Sequence, residues 1–220
     1  MKREQQSAAV RKKILETARK LFVLQGYEQT TTRAIISKAK ITTGTLYHFY
    51  KSKDEILLAI SEDVFEEAVA LAESWSKSKS PALIFALEIG IQLQLCQLEK
   101  MIAETYTIAY QTQGISQMID LKGSIRNSIL FQTYSPALTK EEFLIRTRSF
   151  RGMLQANIKE IGTIKSQTNQ NIMSTVLEIG LSIFGVPKKE CSETIKKALS
   201  ILKEKRAEID KLINNIRHFG

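Results

Sequence analysis

From residue 8 to residue 25, apolar Ile14, Leu15, Ala18, Leu21 and Phe22 recur at helical spacing, with charged residues filling the opposite face. The pattern predicts an amphipathic helix that stops at Gly26, which stands where a helix-ending glycine belongs. Two short segments follow. In TTRAIISKA, Thr31 is placed to cap a helix whose inner face is Ile35, Ile36 and Ala39. In TTGTLYHFY, Thr42 is the cap, and Leu46 with Phe49 or Tyr50 points inward. SKDE at 52–55 is a capping box in which Ser52 caps the Glu55 amide and Glu55 reaches back. It opens a fourth helix that carries Ile56, Ile60, Val64, Ala68 and Leu71 inward to about Trp75. SKSKSP at 76–81 interrupts the pattern, and Ser80 and Pro81 suit the cap and first position of the next helix. Apolar helical segments then run over about 81–112, 115–133, 139–163, 168–184 and 188–217, and Thr139 with Glu142 forms another capping box. No stretch reads as an alternating strand, so the expected fold is all-α.

One longer helix followed by two short ones is the layout of a helix-turn-helix unit. In the second short helix, Thr43, Gly44, Tyr47 and His48 share one face by their spacing. That face presents a hydroxyl, bare backbone, a phenol and an imidazole, and nothing bulky keeps it out of a major groove. Gly44 costs about 1 kcal/mol relative to Ala within a helix, which makes sense where the backbone closely approaches another molecule. Lys51 and Lys53 follow, and Arg33 opens the preceding helix; all three are candidate phosphate contacts.

Charge sharpens this picture. The chain of 220 residues has a formal net charge of +9. Residues 1–60 supply +7 of it, while the remainder is close to neutral. A basic head on a near-neutral body is expected to meet a polyanion, and the N-terminal Lys2, Arg3 and Lys12 are candidates for a basic arm. The hydrophobic share of 43% and charged share of 25% are those of an ordinary globular chain. Cys96 and Cys191 read as buried apolar residues rather than a disulfide framework. His48 and His218 make no metal cluster, and no cofactor, metal or catalytic constellation is expected. With no leader-like N-terminus and no 18-residue apolar run recognised for a membrane span, a cytoplasmic protein is expected.

The stretch ILETARKLFVLQGYEQTTTRAI, continued by TGTLYHFYKSKDEILLAI, resembles the DNA-binding head of the TetR family of bacterial transcriptional regulators. The resemblance covers about residues 10–60. It implies a helix-turn-helix domain over 1–53 and a larger helical effector-binding and dimerisation domain over 54–220, linked by the helix that begins at 54. It also implies a homodimer on palindromic double-stranded DNA, and a repressor released by a small-molecule effector. Carried over by position, Thr42, Thr43, Gly44, Thr45, Tyr47 and His48 are the recognition-helix contacts, with Tyr47 on a phosphate or base edge. Thr32, Arg33 and Lys53 would hold the DNA backbone. Two positions depart from the family pattern: Lys40 stands where glycine is usual in the turn, and Ile36 where a small residue is usual.

In the body, Ile195, Leu199, Leu202, Arg206, Ile209, Ile213 and Ile216 step alternately by four and three, like a coiled-coil seam with one charged interruption. Val176, Ile179, Gly180 and Ile183 form a second apolar face. Together these two faces are the expected dimer interface. Phe85, Gln92, Tyr106, Tyr110, Asn127, Phe131 and Phe150 are candidate linings for a largely apolar effector pocket. Arg146, Arg148 and Arg151 would suit an anionic ligand, but the ordinary Glu142–Arg146 pair favours a solvated face. One rival reading is a DNA-bound helical dimer that takes no small ligand and acts through a protein partner. A helical adaptor on acidic membranes fits the charge but gives no reason for Gly44, Tyr47 and His48.

Overall fold

The computed structural model describes residues 2–161 and 166–217. Among the described residues, eleven helices follow one another and no strand occurs: α1 (Lys2–Gln25), α2 (Thr32–Ala39), α3 (Thr43–Phe49), α4 (Lys53–Trp75), α5 (Pro81–Leu98), α6 (Lys100–Gln111), α7 (Gln113–Phe131), α8 (Lys140–Ile161), α9 (Ser166–Ile183), α10 (Lys188–Glu204) and α11 (Arg206–Arg217). His218 lies outside the described residues, as do the side chains of Lys2, Arg3 and Ile216.

The head forms as its caps direct. The Thr31 hydroxyl accepts the Ala34 amide and the Thr42 hydroxyl accepts the Thr45 amide. Each such cap stabilises its helix by about 1 kcal/mol. Ser52 accepts the Glu55 amide at 3.1 Å, but the Glu55 carboxylate reaches one residue further back than a capping box requires, to the Lys51 amide at 2.6 Å. Gly26 turns the chain with φ +86°, and Lys40 ends α2 in the left-handed region at φ 51°, ψ 49°. For a residue with a Cβ that conformation costs about 1–2 kcal/mol. Here it lets the Lys40 amide bond back to the Ile36 and Ser37 carbonyls. Ile14, Phe22, Ile35, Leu46, Ile56 and Leu57 close over one another as the head's core. Tyr27 ties that core to the next helix: it packs edge-on against Phe22, its phenol donates to Asp54 in the first turn of α4, and its carbonyl accepts from Lys53 Nζ at 2.8 Å.

The body is built around α5. Its 18 residues are apolar enough to pass for a membrane span by length and composition, contrary to the sequence expectation that no such run exists. Most of the helix is instead buried by its neighbours and the rest is half-buried; α4, α6, α9 and α10 all pack on it. A helix that is hydrophobic all round needs this kind of enclosure. The segment expected as one helix over 81–112 breaks at Glu99, which terminates α5 and whose carboxylate accepts the Met101 amide to begin α6. No glycine or proline marks that break.

The expected seam at the C-terminus is also broken, at Lys205 between α10 and α11, and its apolar side turns inward. Leu202, Ile209 and Ile213 are buried in the chain's own core, and Ile195 and Leu199 pack half-buried against it. Val176 and Gly180 are buried as well, and Ile183 is half-buried; of that face, Ile179 stays exposed. The residues assigned to a dimer interface are therefore mostly used within one chain, because α10 needs its apolar face to cover α5 and α11 needs its own to cover α1. Val23 of α1 joins the same cluster as Ile209 and Ile213, and Trp75 Nε1 at the end of α4 donates to Glu208 of α11 at 3.2 Å. Both cysteines are buried.

Two substitutions probe this packing. A Cβ on Gly180 would lie 2.6 Å from Phe150 and 2.9 Å from Phe85, so Gly180→Ala is expected to destabilise the protein by about 1–3 kcal/mol, read from urea unfolding. Lys40→Gly removes a left-handed strain at an exposed turn and is expected to stabilise by about 0.5–1 kcal/mol in the same assay.

Candidate nucleic-acid interface and ligand cavity

α3 is only seven residues long, so a single inward residue decides its orientation. Leu46 is 1% exposed and anchors the helix in the head core, leaving the neighbouring Tyr47 42% exposed. Thr43, Gly44 and His48 share the exposed face, and apart from the chain neighbours and the helix's own backbone, a Cβ placed on Gly44 would meet only the Thr42 hydroxyl, at 3.9 Å, among the described residues. The His48 ring meets Phe49 edge-on at 5.1 Å, which orients the imidazole. Among the expected contacts, Arg33, Thr43 and Tyr47 are exposed and make no side-chain hydrogen bond among the described residues. These groups are available to a ligand.

Other predicted contacts are already engaged. The Thr42 hydroxyl caps the helix and lies 2.8 Å from the Thr45 hydroxyl. Lys51 Nζ donates to the Tyr47 carbonyl at 2.8 Å, closing the C-terminus of α3, where a cation is favoured by the helix dipole. Lys53 Nζ sits 4.0 Å over the Tyr27 ring while donating to the Tyr27 carbonyl, so it fastens the head to α4. The half-buried Thr32 begins α2 beside Arg33.

The head is braced on α4 from a second side. The Arg19 guanidinium grips both Glu67 carboxylate oxygens, at 2.9 and 2.8 Å, while within the head Arg11 Nε donates to the Tyr50 phenol at the end of α3, at 3.1 Å. Arg19 and Glu67 are partly exposed, so their forked geometry matters more for orientation than for stability.

A cavity of about 110 Å³ lies behind α4. Five of the seven expected lining residues are there: Phe85, Gln92, Tyr106, Tyr110 and Phe150. The other two are not. Phe131 is fully buried and stacks on Phe184 at 4.8 Å, while Asn127 donates to the Thr147 hydroxyl at 3.0 Å. The sequence reading missed the α4 wall of Leu57, Ile60, Ser61, Val64 and Phe65, because that helix read only as a connector. Its inward periodicity, continued past the head, was the available signal. It also missed Glu88 and set Arg151 on a solvated face, yet these are the two charged residues of the lining.

Both charges are paired. Arg126 Nε donates to Glu88 at 2.9 Å, and Arg151 Nε donates to Asp120 at 2.6 Å, with Arg148 on the second Asp120 oxygen at 3.3 Å. Burial raises the Glu88 carboxyl pKa above its ordinary value, an effect opposed by Arg126. The expected solvated arginine face is thus partly a buried network. Arg146 donates to the Ile183 carbonyl, and Glu142 caps its own helix through Thr139.

A family model described as bacterial regulatory proteins, tetR family, matches residues 14–60, which run from the core of α1 through α2 and α3 into α4. The head of this chain is thus similar to that of tetR-family regulators. The chain is 28% identical over 112 residues to the HTH-type transcriptional regulator QacR of Staphylococcus aureus, a match covering 49% of this chain and 60% of that protein. It is 39% identical over 56 residues to the HTH-type transcriptional regulator HbdR of Aromatoleum sp., covering 26% of this chain and 24% of that one. These matches therefore span less than two thirds of either relative. Solved structures extend the likeness of fold to the body of this chain. RolR in complex with resorcinol superposes with a TM-score of 0.63 at 20% identity, over 87% of this chain and 95% of that one. SmeT, the repressor of the Stenotrophomonas maltophilia multidrug efflux pump SmeDEF, gives 0.55 at 19% identity, over 78% and 88%.

Tyr47→Ala is expected to leave unfolding stability within about 0.5 kcal/mol and to weaken specific DNA binding about tenfold. Thermal unfolding and fluorescence anisotropy on the same preparation separate the two effects. Arg33→Ala is expected to weaken binding to all sequences alike and to lower the salt slope by about one.

Proposed function

We propose that the protein is a dimeric transcriptional repressor that reads a palindromic operator through α3 and lets go when a small molecule fills the cavity behind α4. The observation that carries this reading is a shared wall. Leu57 and Ile60 belong to the head core and also line the cavity, and Ala109 joins them from α6. A ligand in the cavity thus touches side chains that support the recognition helix, with no intervening layer. It shifts the head only so far as it binds one arrangement of that wall more tightly than another. The named relatives agree in kind: QacR and HbdR are HTH-type transcriptional regulators, SmeT is a repressor, and RolR holds resorcinol. A body with a lined cavity also favours a ligand-responsive regulator over a DNA-bound dimer that acts without one.

The dimer is proposed on α8 and α9 rather than on the C-terminal seam. Ile145, Ser149, Gly152 and Ala156 make an exposed strip of mostly small residues along α8. Ile179, 44% exposed, continues it on α9 with Thr175 and Ser182. Small residues let two copies approach closely, and two helices from each copy would make a four-helix contact.

Titrating the full chain onto a DNA fragment from just upstream of its own gene, with random competitor and a salt series, tests the reading. Competitor-resistant binding at physiological salt, with a dissociation constant of about 10⁻⁸ M or tighter and two chains per site, is the expected result. Weak binding that collapses with salt and ignores sequence would leave only a basic protein.

A further inference from the structure

We propose that the cavity takes a neutral, single-ring phenol, an inference that rests on reading this cavity as the effector site. Size sets the first limit. An apolar cavity of about 150 Å³ holds benzene, so 110 Å³ admits one ring after small side-chain adjustment and has no room for two fused rings. The walls set the second. Phe65, Phe85, Tyr106, Tyr110 and Phe150 surround the space with aromatic rings, which favour a flat apolar guest.

Charge sets the third limit. Glu88 and Arg151 have opposite signs, and each is already held by a partner outside the lining, Arg126 and Asp120 respectively. A carboxylate guest would face Glu88 and an ammonium guest would face Arg151, with neither finding an uncommitted counter-charge. Desolvating an ion without such compensation is costly, so the guest is neutral.

Hydrogen bonding sets the last. Among the lining residues, Ser61 and Thr105 donate to carbonyls of their own helices, Thr147 accepts from Asn127, and the Tyr110 phenol donates to Gln92 at 3.3 Å. Among the described residues, the buried Tyr106 phenol has no hydrogen-bond partner. A buried polar group in that state costs free energy that a guest hydroxyl recovers. One ring with one small polar group, free to donate or accept, meets all four conditions.

The test is calorimetric titration and thermal shift of the full chain with phenol, toluene, benzoate, benzyltrimethylammonium and 2-naphthol. Phenol is expected to bind most tightly, with toluene weaker and the two ions and the fused ring at least ~10-fold weaker than phenol. Tyr106→Phe, a change that keeps the ring, is expected to weaken phenol about fivefold and leave toluene unchanged. Tighter binding of benzoate or the ammonium overturns the charge assignment, and equal binding of 2-naphthol overturns the size limit. Unchanged phenol binding in Tyr106→Phe, or an equal loss for toluene, removes the hydroxyl contact. Binding of none of the five overturns the proposal outright. Operator binding without ligand, measured on the same preparation, shows whether the DNA-reading role survives such a failure.

Discussion

A helix that is apolar on every side cannot face water anywhere along its length, and α5 imposes this condition on the whole body. Each neighbour that covers it must give up its own apolar face to do so. α10 does this with Ala198 and Leu202, α9 with Val176 and Leu177, and α8 with Phe150 and Leu154. The approach of α9 is close enough that position 180 tolerates no side chain, since Phe85 and Phe150 occupy the space. Hydrophobic burial is roughly proportional to the area removed from water, so enclosing α5 dominates the stability of the body and decides which faces are left for other molecules.

The same enclosure explains the cavity. Rings as large as those of Phe85, Phe150 and Tyr110 cannot fill the wedge between α4, α5, α6 and α8 without remainder, and the remainder lies against α4. Polar groups at its edge are held by partners that lie further out, such as Arg126 for Glu88 and Asp120 for Arg151. The head hangs on the same α4 through Tyr27, Lys53 and Arg19. The cavity and the support of the head thus meet on one helix.

The head was legible in the sequence because local chemistry decides it. Thr31, Thr42 and Ser52 cap the helices they were expected to cap, and Leu46 goes in while Tyr47 stays out. Even Lys40, a departure from the family pattern, takes the left-handed geometry that the turn demands. The body was less legible because tertiary contacts decide it. Heptad-like spacing from Ile195 to Ile213 shows that a face is apolar, but not whether its own chain or a second copy will cover it. The break at Glu99 carries no glycine or proline, and it became visible only with the amide that its carboxylate accepts. Among the cavity residues, the aromatic ones could be guessed from composition. The α4 wall and the paired Glu88 and Arg151 required the third dimension.

The inward turn of α11 has a consequence for modularity. Val23, in the first helix of the chain, shares a core with Ile209 and Ile213 of the last described one, and Ala109 and Ile115 of the body complete the core of the head. A cut between head and body would leave an unmatched oily scar on both pieces. The N-terminal unit that the tetR family model matches is therefore not a detachable part here. Its motif is separable along the sequence, but its core is knitted to α11.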